Sequence, residues 1–117
     1  MKYHGHSKAD ARHLHLHGVA LEKLLAEPVL KLRVLELLDR WLRDLEHASS
    51  RPWLEEWLKM LRNWPQKKMA EVVLDEEKGP ALRQCSPLAP VLTAKERWAA
   101  LKEINQRLDA AWGGMSP

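Results

Sequence analysis

The chain has 117 residues, 45% of them hydrophobic and 30% charged, with a formal net charge of +3. That length suits one domain with a buried core, and the balance of residue types excludes global disorder. So small a charge, with Lys and Arg interleaved among Asp and Glu, does not identify nucleic acid as a partner, and no apolar run reaches the roughly 20 residues that span a bilayer.

Cys85 is the single cysteine and excludes an internal disulfide. The polar start MKYHGHSKADARH lacks the apolar core of a signal peptide, so the expected compartment is a reducing cytoplasm. Residues 1–8 show no periodicity and read as a frayed terminus. A first helix is predicted over residues 8–27. Leu14, Gly18, Leu21 and Leu25 recur on one face, Leu16, Ala20 and Leu24 lie beside them, and Pro28 ends the element. Gly18 in mid-helix costs about 1 kcal/mol relative to Ala, which a close helix crossing can offset.

Residues 28–47 form the longest periodic apolar stretch. Leu30, Val34, Leu37, Leu38, Trp41 and Leu45 share one helical face and Val29, Leu32, Leu35 and Leu42 widen it, so a central helix touched on most sides is expected. The chain then stops and restarts, with Ser49 or Ser50 as a cap and Pro52 in the first turn of a third helix that runs to about Asn63. Trp53, Trp57, Met60, Leu61 and Trp64 lie together on it, and Pro65 ends it. A weaker fourth helix is expected over residues 66–77, with Met69, Val72 and Val73 inward. Its terminal charges oppose the helix dipole, and Gly79 and Pro80 close it.

In residues 81–92, Pro87 and Pro90 push Ser86 and Ala89 out of the helical region and predict an extended strap. Thr93 and Glu96 read as a capping box opening a last helix with a buried stripe of Trp98, Leu101, Ile104, Leu108, Ala111 and Trp112. The fold class is therefore all-α: one domain, a compact bundle of about five helices with a proline-containing strap before the last.

Two imidazoles four residues apart on a helix can bind one metal ion, which makes His13 and His17 candidate ligands, with His4 or His6 folding back as a third. No carboxylate or thiol at ligand spacing completes that set, so the expected state of these histidines is a solvated, pH-responsive face, and no cofactor is assigned. Arg40 with His47, and Arg12 with His17, match the loose Arg–His spacing of HEPN-like ribonucleases. Pairing of Arg40 with Glu36 and Asp44 accounts for the first match without chemistry. A glycine-rich phosphate loop, a serine elbow and paired carboxylates are all missing from the sequence, so no catalytic residue is assigned. Lys95, Arg97, Lys102, Gln106 and Arg107 on the last helix are candidate nucleic-acid contacts, although they share their faces with Glu96, Glu103 and Asp109.

The stretch LRQCSPLAPVL from Leu82 to Leu92, followed by Glu96, Arg97 and Trp98, resembles a carboxyl-terminal motif of small, uncharacterised bacterial all-helical proteins, as does His15 in the first helix. The resemblance implies a bacterial cytoplasmic protein without established catalytic residues, working beside a partner in the manner of an antitoxin. Six tryptophans in so short a chain point the same way. The expected function is a protein-interaction or regulatory module, homo-oligomeric or bound to a protein partner, with an enzyme as the rival class. Its working surface is expected at Trp53, Trp57, Pro87, Leu88 and Pro90, where a strap without backbone ladders lies over the tryptophans or docks a partner.

Overall fold

Proline and local capping chemistry divide this chain into helices. The computed structural model describes residues 8–44 and 49–113, the side chains of residues 112 and 113 excepted. Those residues are all-α, with α1 (Lys8–Ala26), α2 (Lys31–Arg43), α3 (Arg51–Asn63), α4 (Gln66–Val73), α5 (Gly79–Gln84) and α6 (Ala94–Gly113). Short 3-10 turns occupy Pro28–Leu30 and Ala89–Val91. No helix among the described residues is long and apolar enough to cross a membrane.

Several boundaries follow from single residues. Pro28 cannot continue α1, so Glu27 donates the last bond of that helix to Lys23 O at 2.8 Å and the chain tightens into the first 3-10 turn. Trp64 is extended, with ψ of 144°, because the following Pro65 excludes the helical region. The capping box is present: Glu96 N donates to Thr93 Oγ1 at 3.1 Å and Thr93 N to Glu96 Oε1 at 2.9 Å. Ser50 stands at the start of α3, but its side chain makes no capping bond and its backbone is already helical.

Around α4 and α5 the structure corrects the sequence reading. The fourth helix stops at Val73, and Asp75 Oδ2 instead accepts the amides of Glu77 at 2.9 Å and Lys78 at 2.8 Å, which holds its carboxyl below the usual range. Those acidic residues would have opposed the helix dipole had the helix run on. Gly79 and Pro80 therefore open α5 rather than close α4, since Pro is suited to a first turn. The strap shortens to residues 85–92 and is not extended throughout, since Ala89, expected outside the helical region, opens the 3-10 turn Ala89–Val91 with Pro90 in its first positions.

The core is centred on α3. Leu54, Trp57, Met60 and Leu61 are buried there against Leu21 and Leu24 of α1, Val34 and Leu38 of α2, Met69 and Val73 of α4, Leu82 of α5, and Leu88 and Val91 of the strap. The helix expected at the centre, α2, is peripheral. It buries Val34 and Leu38 but leaves Leu32 61% exposed, and Val29 before it 68% exposed, because its neighbours cover one side only. On α1 the buried stripe is Ala11, Leu16, His17, Ala20, Leu21 and Leu24, one position round from the expected face, and Leu25 is 63% exposed. Helix α6 packs lengthwise on α1, where Ala11, Ile104 and Leu108 form a second, smaller core. Lys23 pairs with Glu96 at one end of this seam and Arg12 Nε donates to Asn105 Oδ1 at 2.6 Å toward the other, so the two helices run antiparallel. Trp98 and Ala111, expected in the buried stripe of α6, are exposed, Trp98 by 64%, and the side chain of Trp112 lies outside those described.

Candidate functional site

Where α1, α5, the strap and the first turn of α6 meet, they leave a cleft of about 190 Å³. Helix α1 lines it with His13 and His17, α5 with Arg83 and Gln84, the strap with Ser86, and α6 with Arg97. Leu16, Ala20, Leu88 and Leu92 supply apolar walls. The volume lies below the roughly 300–1,000 Å³ of sites for drug-sized ligands, which suits a small ligand.

One helical turn apart, the two imidazoles meet edge to face, their centroids 4.6 Å apart. His17 is buried, and its Nδ1 lies 2.8 Å from His13 O. A carbonyl only accepts, so Nδ1 carries the proton and the neutral ring keeps its lone pair on Nε2. That Nε2 is buried with no hydrogen-bond partner among the described residues. Burial lowers the pKa of His17 to about 4, helped by the charges of His13, Arg83 and Arg97 and opposed by the bond to His13 O. The pKa of His13 is lowered as well, first by burial and then by Arg83, with Asp10 opposing.

Arg83 is a buried cation held by backbone. Its Nη1 donates to Val73 O at 2.6 Å and to Asp75 O at 3.3 Å, which satisfies carbonyls at the end of α4 and leaves Nε and Nη2 as further donors. Gly79 makes this possible, because a Cβ there would overlap both Nη1 of Arg83 and the carbonyl of Val73.

The structure brings His13 and His17 together on one turn of α1. His4 and His6 lie outside the described residues, His15 lines a different depression with Glu22, Glu103 and Arg107, and no group of three potential ligands occurs among the described residues. Nor are the pair a solvated face. His17 sits inside the protein because α1 is rotated from its expected orientation. Of the Arg–His pairs, His47 lies outside the described residues, and Arg12 is engaged with Asn105.

The expected docking surface is largely core. Trp57 is fully buried and its Nε1 donates to Leu82 O at 2.8 Å, and Pro87 and Leu88 are buried beside it, so these three present no surface to a partner. Pro90 is half-buried and Trp53 is 43% exposed. The strap meets its backbone needs locally, for example by Leu88 N donating to Ser86 Oγ at 3.2 Å. Lys95, Lys102 and Arg107 are exposed on α6, with Arg107 paired to Glu103 and the Lys102 ammonium 5.2 Å from the centre of the Trp98 ring.

Sequence reasoning did not find Arg83, and it offered Arg97 only as a nucleic-acid contact on the last helix, not as a partner of the histidines. Each is an ordinary basic residue in its own segment, and only the packing of α5 and α6 against α1 sets them beside the histidines. Comparison with protein-family models, curated proteins and solved structures finds no match for this chain.

Proposed function

We propose that the chain is a protein-interaction module whose docking surface is the end of the molecule where α1 passes into α2. The supporting observation is the placement of exposed apolar side chains. Leu25 closes α1, Val29 lies in the 3-10 turn, Leu32 opens α2, and the pairing of Lys23 with Glu96 holds the first turn of α6, with Trp98, at the same end. A surface that leaves large aliphatic and aromatic groups in water at one end is offset when another polypeptide covers it. This reading moves the working surface away from Trp57 and the strap.

Two substitutions at exposed positions, Leu32→Asp and Trp98→Ala, test it. Sedimentation across the micromolar range, together with affinity capture followed by reconstitution with the recovered protein, is expected to show association in the parent chain. Both variants should weaken it while keeping the parent melting curve. A parent chain that stays monomeric and retains no partner, or association indifferent to both substitutions, overturns the proposal.

A further inference from the structure

We propose that the cleft bounded by α1, α5, the strap and α6 binds the phosphate group of a small ligand, with Arg83 and Arg97 holding the negative charge and Nε2 of His17 accepting a phosphate hydroxyl proton. The first observation is the charge pattern. Two arginines and two histidines line the cleft, and its lining includes no carboxylate among the described residues. The opposing charge close enough to act on His13 and Arg83 is that of Asp10, with Asp75 also acting on Arg83. A metal cation is disfavoured by the same guanidinium groups, whereas an oxyanion is attracted by them.

The second observation is the orphaned Nε2. Buried polar atoms are almost always paired with protein, water or ligand, and this one is an acceptor because Nδ1 donates to His13 O. An acceptor flanked by cations selects a ligand that carries both negative charge and an acidic hydrogen. A phosphate monoester has a second pKa near 6 and keeps such a hydrogen in mildly acidic solution. Sulfate has the same size and shape but is fully ionised, and would set an oxygen lone pair against the lone pair of Nε2. The site should therefore discriminate between two tetrahedral oxyanions that charge alone would not separate.

Calorimetric titration of the purified full chain tests this at constant ionic strength in chloride, at about pH 5.5, where both phosphates keep that hydrogen, with inorganic phosphate, ribose 5-phosphate and sodium sulfate as separate titrants. Saturable phosphate binding is expected, with sulfate at least about tenfold weaker, the scale of one charged hydrogen bond. Tighter binding of ribose 5-phosphate than of inorganic phosphate would identify an ester as the ligand, and the reverse would identify the free ion. Arg97→Gln, at an exposed position that should leave the fold intact, is expected to weaken phosphate binding by about tenfold or more, while Lys95→Gln leaves it unchanged. His17→Phe should abolish the preference over sulfate. If that variant does not fold, the comparison of phosphate with sulfate on the parent chain still decides the role of Nε2. No saturable phosphate binding at millimolar concentration, binding indifferent to Arg97→Gln, or sulfate bound as tightly as phosphate would each overturn the proposal.

Discussion

Replacing Gly79 with Ala adds one carbon atom, and the structure places that carbon inside occupied space. It would overlap Nη1 of Arg83 and Val73 O, and lie 3.1 Å from the carbonyl carbon of Val73. The backbone carbonyl cannot swing aside as a flexible side-chain end can, so the junction of α4 and α5 must shift and the guanidinium must withdraw. Withdrawal breaks the bonds of Arg83 to Val73 O and Asp75 O. A hydrogen bond from a charged donor contributes about 1.5–3 kcal/mol, and overpacking a tight site costs about 1–3 kcal/mol. The helix preference of Ala over Gly offsets about 1 kcal/mol, so the net loss should be about 2–4 kcal/mol. Gly18→Ala is the matched control. Nothing lies within 4 Å of a Cβ at Gly18, in the middle of α1, so that change should stabilise by up to about 1 kcal/mol. Urea unfolding followed by circular dichroism measures both, and the Gly79 variant should melt roughly 8–20 °C lower. Equal effects of the two substitutions, or a Gly79 variant within about 0.5 kcal/mol of the parent, would refute the account of Arg83 as the clamp on α4.

Three further outcomes are expected. Leu38→Ala should cost about 2–5 kcal/mol in denaturant melts because Leu38 is fully buried, whereas Leu32→Ala, on the same helix but exposed, should cost under about 1 kcal/mol. Comparable costs would mean that α2 is not peripheral. His17, with a folded pKa of about 4 against an ordinary value of 6.5, binds its proton more readily in the unfolded chain, so its contribution is intact above pH 6.5 and is lost as pH falls toward 4, by up to about 3 kcal/mol. Unfolding midpoints of parent and His17→Gln measured between pH 7 and about pH 4.5 should converge on acidification, and parallel curves would contradict the burial of a neutral ring. Thr93→Ala should lower stability by about 1 kcal/mol in thermal melts through loss of the cap on Glu96 N, and no change would show that the box contributes nothing.

The elements legible in the sequence are those governed by neighbours a few residues away. Pro28, Pro52 and Pro65 act on their own and the preceding backbone, and the Thr93–Glu96 box spans a single turn, so their effects do not depend on the rest of the fold. The buried side of α3 was legible in part for a related reason: Trp57, Met60 and Leu61 of the expected face are buried, but Leu54 joins them in place of Trp53, which is 43% exposed. Helices α1 and α2 carry apolar residues over more than one stripe. Periodicity cannot rank adjacent stripes, and the choice fell to which side received a neighbour. For α1 that neighbour was α6, which turned His17 inward, and for α2 the outer side received none among the described residues, which left Val29 and Leu32 in water. Helix α5 was missed because its anchor is Arg83 reaching back to the end of α4, a contact that no local pattern encodes. The cleft lies further still from the sequence. His17, singled out beside His13 on its own helix, meets Arg83 and Arg97 from two other helices, and their convergence exists only after α5 and α6 have packed on α1. The lone pair on Nε2 is likewise a product of folding, since burial keeps the ring neutral and the carbonyl of His13 decides which nitrogen holds the proton.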